Sequence, residues 1–450
     1  MAEQIHESIA SAIREGRLLP GARLPSWRDL ASQLGLARGT VRIAYERLSD
    51  AQLIIASKQA GTRVATLPPL APREAMLPDP RPLPEIFRDF SARAGMFQMA
   101  VPAQDAFPFT SWSRIVTRAA KAGAAAPAQY PDPRGEPELR QEIAAYLAIS
   151  RGISCSPSQI FVTGGYAGAL GLTTRVLGVE GSNAWMEEPG YPITRTALTF
   201  AHVTPVPVRV DGEGLDVAHG IALCPDAKLA IVTAGQQAPL GVTMSLARRH
   251  ALLEWAIRHG GWIIEDDYLS ELQLKGRAAP ALASLDHAGR VIHIGTFSKT
   301  ISPALRLGFL VAPPMLASRF GEAAACLAPA PGPIIQLAVA AFIREGHYLR
   351  HLRRMKRLYE SRRDLLLANL TGKRDQTTAG LAILLRLPEG ANDTEIALQA
   401  LTHGLAPVPL STWYASPGSR QAGLLLSFTN LSANVAESCA RLESIIAEYS

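Results

Sequence analysis

Cysteine is scarce in this chain: four in 450 residues, at Cys155, Cys224, Cys326 and Cys439. They are scattered, with no CxxC pair and no Cys/His cluster. Neither a disulfide framework nor a bound metal is expected, and a reducing, cytoplasmic setting fits. No apolar run reaches the length a bilayer demands, so no membrane partner is expected. The start, MAEQIHESIA, lacks the basic-then-apolar order of a secretory signal. Internal repeats are missing too. Charge is sparse, at 19% against 48% hydrophobic residues, which describes a globular chain rather than a disordered one. A chain of this length holds two or more domains and can bury a large core.

The charge that is present is uneven. The net charge is +6, with a pI near 9.2. Residues 1–65 carry nine Lys and Arg against six Asp and Glu, a balance of +3. Half of the excess thus falls in about a seventh of the chain. That permits an anionic partner without demanding one.

Residues 4–65 read as three short helices and a hairpin. Ile5, Ile9 and Ile13 recur at helical spacing, and Gly16 ends that helix. LPGARLPS is a Pro/Gly turn, after which Ser26 caps a helix from Trp27 to Leu34. GLARG is a second turn, and Thr40 to Asp50 forms a third helix. LIIASKQAGTRVA has two β-prone runs around a glycine-containing tip, the pattern of a wing. Residues 66–92 hold seven prolines and read as an extended, semi-stiff linker. From residue 93 onward helices alternate with apolar strands such as QIFVTGG, NAWMEE, LAIVTA, GWIIEDD and VIHIGTFS. Such runs predict an α/β domain with a mostly parallel central sheet covered on both faces. The end mixes a long basic helix with GLAILLRL and GLLLSF, a smaller α+β lobe.

Two helices joined by a turn can lay the second in the major groove, with side chains near its start reaching base edges. Arg38, Thr40 and Arg42 are the candidates there, for phosphate and base contacts. Arg28 lies early on the preceding helix, and Gly61 at the wing allows close approach, with Lys58 or Arg63 nearby. Ile43 and Leu48 are expected to point into the small core. The residues alone fit a surface-charged packing module as well as a DNA reader. However, GRLLPGARLPSWRDLASQLGLARGTVRIAYERLSDAQLI, followed by AGTRVA, resembles the winged helix-turn-helix of the GntR family of bacterial transcription regulators. The resemblance implies that Arg28, Arg38, Thr40, Arg42 and Gly61 contact a double-stranded DNA operator. Trp27 and Gly39 stand where that family usually has small or polar residues.

The rest of the chain offers the parts of a pyridoxal phosphate site. A lysine can form a Schiff base when its surroundings favour the neutral amine, and Lys299 in GTFSKTISPALRLGF is the candidate. Asp266 closes an apolar strand and would hold a proton on a pyridine nitrogen, with Tyr268 two residues on. Thr296 and Arg306 bracket the lysine as a phosphate pair. VTGGYAGAL is a strand, a glycine turn and a helix start, which cradles anions. Tyr191 in EEPGYP is a candidate ring-stacking aromatic. Each piece alone is weak, whereas their joint order is improbable by chance.

That order resembles the fold-type I, aspartate aminotransferase-like proteins. Joined to the winged helix, it resembles the MocR subfamily of GntR regulators from end to end. The resemblance implies domains at 1–65 and 93–450 and pyridoxal 5'-phosphate linked to Lys299. It implies Asp266 at the pyridine nitrogen, Tyr268 at the phenolic oxygen and Tyr191 at the ring. It also implies Gly165, Tyr166, Ala167, Thr296 and Arg306 at the phosphate. Tyr130, in QYPDPRG, matches a tyrosine lent to the neighbouring subunit, which presupposes a homodimer.

Three departures bear on activity. Ala238, in TAGQQAPLG, replaces an asparagine, and Ala167 a usual glutamine. Leu425, in GLLLSF, stands where the family carries the arginine that grips an amino-acid carboxylate. Losing such a clamp costs about 2–5 kcal/mol. Arg195 and Arg420 are the nearest substitutes, and both read as surface charge. The expectation is a regulator that senses pyridoxal phosphate or a small amine or amino acid. The alternatives are an active aminotransferase with a fused DNA-binding module, and a cofactor-free scaffold.

Overall fold

A computed structural model describes residues 1–57, 61–66, 95–124, 130–274, 279–370 and 376–449. The chain divides into two units, Met1–Pro82 and Leu83–Ser450. The proline-rich stretch read as a linker lies outside the described residues except for Thr66, and so does Lys58 at the hairpin tip.

In the first unit, α1 (Ala2–Arg14), α2 (Trp27–Leu34) and α3 (Arg38–Asp50) pack on a small sheet. Its strands are β1 (Arg23–Leu24), β2 (Ile54–Ser57) and β3 (Gly61–Val64), in the order β1-β3-β2. Ser26 caps α2 by accepting the Asp29 amide, and Gly35 ends it at φ 64°. Glu3 of α1 binds Arg47 of α3 at 2.7 Å, and the Tyr45 hydroxyl donates to the Pro25 carbonyl at 2.9 Å. Two expectations need correction here. The third helix begins at Arg38, not Thr40, because the chain leaves the extended conformation at Ala37. Ile43 is not a core residue: it is 43% exposed. Val41, Ala44, Tyr45 and Leu48 already fill the inward stripe at helical spacing, which leaves Ile43 on the outer face.

The second unit is built on eight strands: β4 (Ile160–Thr163), β5 (Asn183–Glu188), β6 (Thr204–Asp211), β7 (Gly214–Leu215), β8 (Leu229–Val232), β9 (Trp262–Asp267), β10 (Val291–Thr296) and β11 (Gly308–Val311). Their order is β4-β11-β10-β9-β8-β5-β6-β7. The five central strands from β10 to β6 run parallel, while β11 is antiparallel to both its neighbours. Alternate residues feed opposite faces. Ile231, Ile264, Ile292 and Ile294 pack under the helices Tyr166–Leu177 and Ala317–Leu327. Ala230, Val232, Ile263 and Val291 pack under Leu246–His259. Coverage on both sides is why these strands are apolar throughout.

The smaller lobe is an antiparallel sheet of β12 (Gln376–Ala379), β13 (Ala382–Arg386), β14 (Val408–Pro409) and β15 (Gly423–Ser427), in the order β12-β13-β15-β14. The helix His347–Asn369 packs against the helix Val435–Tyr449, which also meets Asp393–Thr402. Among the described residues no helix is long and apolar enough to cross a membrane.

Strand β5 delivers the EEPGYP loop, and its anchor is Trp185. The indole is fully buried, stacks on Trp255 at 4.1 Å and donates to the Cys224 carbonyl at 3.0 Å. Trp185→Ala is expected to lower the unfolding free energy of this unit by about 3–5 kcal/mol. Denaturant titration followed by tryptophan emission measures it, and a loss below about 1 kcal/mol contradicts this anchoring role.

Candidate cofactor site and nucleic-acid interface

Three strand ends in register assemble one side of the site. Thr163 of β4 pairs with Gly308 of β11, and Gly308 pairs with Thr296 of β10. Each strand then hands over a functional segment. After Thr163 come Gly164 and Gly165, the latter at φ 82° and preceding the helix Tyr166–Leu177. No side chain caps that helix, so the Tyr166 and Ala167 amides are left for an external acceptor. After Thr296 come Ser298 and Lys299. Before Gly308 comes Arg306, held at φ 48°, whose guanidinium meets the Gly164 carbonyl at 3.4 Å. The glycine turn and the arginine, 142 residues apart in the chain, thus meet at one point.

Thr296 and Ser298 share their hydroxyls. Thr296 Oγ1 donates to Ser298 Oγ at 3.1 Å and accepts the Ser298 amide at 3.2 Å. Ser298 was missed in the sequence reading, although its signal was there: a hydroxyl directly before the lysine.

The other side of the site is set by β9, whose Asp266 lies beside Ile294 of β10. Asp266 is buried, and among the described residues none donates a hydrogen bond to its carboxyl. Burial, with repulsion from Asp267 and Glu187, pushes its pKa up to about 8, against the pull of Lys299. Burial lowers the Lys299 ammonium to about 8, with Asp266 opposing. With both groups near 8, a larger share of the lysine is neutral amine at pH 7 than for an ordinary lysine, and the Asp266 carboxylate would gain from a further cationic partner. A protonated pyridine nitrogen supplies that partner, and an aldehyde takes up the amine, so the residues present fit pyridoxal phosphate.

Tyr191, opening the helix Pro192–Phe200, lies 6.3 Å from the Tyr166 ring and 5.7 Å from Trp413. Burial and the nearby Asp266 push its hydroxyl up to about 12. Tyr166 is itself tied by its hydroxyl to Thr194 at 2.8 Å. Tyr268 is held well above its ordinary value by burial and by Asp266, so it stays a protonated donor. Glu187, which the sequence reading passed over, accepts from Thr233 at 3.0 and 2.5 Å, and burial raises it to about 7. Tyr130 is fully exposed, and Ala167 is exposed at the helix start.

Beneath Asp266 lies a buried ionic chain. Arg151 binds Asp267 at 2.6 Å, His293 lies 3.8 Å from Asp267 and 3.0 Å from Glu265, and Glu265 accepts the Leu282 and Ala283 amides. These contacts fix both neighbours of Asp266 and hence its direction.

Leu425 is fully buried in an apolar cluster with Ala238, Leu384, Leu410, Trp413 and Tyr414. Tyr191 and Tyr268 pack on the same cluster. Arg420 is exposed, in keeping with surface charge. Arg195 is not: it is half-buried and donates to the Trp413 carbonyl at 2.8 Å and the Tyr414 carbonyl at 3.4 Å. It braces the loop that carries Trp413, 218 residues away in the chain.

On the first unit, Arg38 and Arg42 are exposed, Thr40 is half-exposed, and no side chain caps the start of α3. Arg42 lies 3.6 Å from Glu46. Arg28 stacks on Trp27 at 4.9 Å, so the unusual tryptophan gives the guanidinium a platform. Gly61 takes φ 73°, a conformation that favours glycine, at the start of β3.

Residues 104–408 match the family aminotransferase class I and II, and residues 1–64 match the bacterial regulatory proteins of the gntR family. The chain is 34% identical to the probable rhizopine catabolism regulatory protein MocR of Rhizobium meliloti, over 94% of this chain and 89% of that one. The chain belongs to the MocR subfamily of GntR regulators. It is also 33% identical to the pyridoxine biosynthesis transcriptional regulator PdxR of Corynebacterium glutamicum, over 81% of this chain and 77% of that one. The crystal structure of Pyrococcus horikoshii kynurenine aminotransferase in complex with PMP superposes with a TM-score of 0.71 at 26% identity. That match covers 81% of this MocR-type chain and 93% of the other. The aminotransferase fold supports pyridoxal phosphate as the cofactor.

A lysine attacks an aldehyde only as the neutral amine. Uptake of pyridoxal phosphate by the cofactor-free protein is therefore expected to speed up with rising pH and level off above about 8. Stopped-flow absorbance reads it. A rate still climbing at about pH 10 marks an ordinary lysine and overturns the assignment. Lys299→Ala is expected to remain colourless where the parent protein turns yellow.

Proposed function

We propose that this chain is a cytoplasmic transcription regulator that binds operator DNA through its winged helix as a homodimer, with pyridoxal phosphate or a small amine tuning that binding through the large unit. The observation that carries the reading is a conjunction. Lys299, Asp266, Tyr268, Thr296 and Arg306 supply a full set of groups for the cofactor, yet Leu425 and Ala238 make an apolar wall beside it.

Bound at Lys299, pyridoxal phosphate supplies an electron-withdrawing ring and an aldehyde that other amines can compete for. Lys299 contributes the amine, and Asp266 holds a proton at the pyridine nitrogen. Tyr268 donates to the phenolic oxygen, and Tyr191 covers the ring face. The Gly165, Tyr166 and Ala167 amides, with Thr296, Ser298 and Arg306, neutralise the phosphate. Tyr130 of the partner subunit completes that set. An α-amino acid finds no bidentate cation at Leu425 to orient it, so uptake of an amine ends in binding rather than in turnover. Binding regulates DNA only through different affinities for two arrangements of the chain.

On DNA, Arg38→Ala is expected to weaken specific operator binding by about 1–3 kcal/mol in a titration at fixed salt. Unchanged affinity places the recognition helix elsewhere. In a coupled assay with 2-oxoglutarate, no common α-amino acid is expected to turn over efficiently. Rapid conversion of one of them supports the aminotransferase reading instead.

A further inference from the structure

The outer face of α3 carries an apolar side chain that nothing in its own unit claims. Ile43 lies outside the apolar core of the first unit, which takes Val41, Ala44, Tyr45 and Leu48 from this helix. At roughly 100° per residue, Ile43 and Gly39 lie nearly opposite that buried stripe. They are one turn apart and so adjoin on the surface. Arg38 and Arg42, themselves one turn apart and both exposed, run alongside them on one flank.

Gly39 makes the position of Ile43 unusual. A Cβ at Gly39 would have nothing within 4 Å, and its backbone is ordinary helix, so neither crowding nor strain calls for glycine there. Side chains on a helix lean toward its N-terminus, so Ile43 leans over the bare surface at Gly39. The result is a shallow apolar spot beside two arginines, at the end of the helix where no side chain caps the backbone amides. The row of cations beside it suits a polyanion. An apolar spot next to them suits the one apolar group that the major groove exposes, the thymine C5-methyl.

We infer that Ile43 is a specificity-determining residue that packs on a thymine methyl in the major groove, with Gly39 clearing the approach. This rests on the DNA-binding reading above. Arg38 and Arg42 supply phosphate and base hydrogen bonds, whereas Ile43 discriminates by shape and desolvation alone.

The test uses the full chain. Its preferred duplex is selected from a random-sequence pool, and each thymine in turn is replaced by uracil, which removes only the methyl. One thymine per half-site is expected at which wild-type affinity falls by about 4-fold, the worth of one buried methyl. In Ile43→Ala that same replacement costs nothing further, while Ile43→Leu keeps part of the effect. The salt dependence of binding stays the same in all three, because no phosphate contact changes. The proposal is overturned if every uracil replacement has equal effect in wild type and Ile43→Ala. It is also overturned if Ile43→Ala lowers the Tm of the winged-helix unit, since Ile43 would then be a packing residue. If no sequence enriches at all, the DNA-binding reading falls and this inference with it.

Discussion

Gly308 packs its backbone against two neighbours at once. A Cβ there would stand 2.9 Å from the Gly295 carbonyl oxygen and 3.0 Å from the Gly165 Cα. Because nothing intervenes, β11 lies close between β4 and β10, and the segments leaving those strands converge. The glycine turn at 164–165, the hydroxyls of Thr296 and Ser298, and Arg306 come to adjoining strand ends for that reason. Arg306 at φ 48° belongs to the same constraint, since its backbone must turn sharply to rejoin the sheet at Gly308. The site is therefore a property of the sheet's antiparallel strand, and the loops inherit their positions from it.

Electrostatics completes what the backbone begins. Asp266 and Lys299 are both buried, and each is pushed toward its neutral form, so the pair is poised for a ligand that restores charge to one and takes the free amine of the other. The chain through Arg151, Asp267, His293 and Glu265 holds the strand end rigid while keeping further negative charge close by. On the substrate side the chemistry changes. Leu425, Ala238, Leu410 and Trp413 form an apolar cluster on which Tyr191 and Tyr268 pack. A set of groups for the cofactor beside this apolar cluster is what the proposed regulatory reading rests on.

Much of this was legible in order and spacing. Lys299, Asp266, Tyr191 and the glycine turn sit at strand ends, and strand ends show in sequence as apolar runs that stop at a small or charged residue. Side-chain direction was less legible. Ile43 was expected in the core because it is apolar, yet Val41, Ala44, Tyr45 and Leu48 already complete a helical stripe without it. Arg195 was expected at the surface because it is charged, yet the carbonyls of Trp413 and Tyr414 hold it half-buried. No local pattern ties Arg195 to a loop 218 residues away. Composition suggests a residue's preference, whereas the partner that overrides the preference is long-range.

The central claim is that the lysine site and the winged helix are coupled. It is tested most directly by titrating the selected operator with wild-type protein, stripped of pyridoxal phosphate and then saturated with it, and repeating the pair with Lys299→Ala. A regulator of this kind should show operator affinity shifting by about 5-fold or more on saturation, a coupling of ~1 kcal/mol, with the shift lost in Lys299→Ala. Equal affinity in the stripped and saturated wild-type protein, with absorbance showing the cofactor bound, would contradict it.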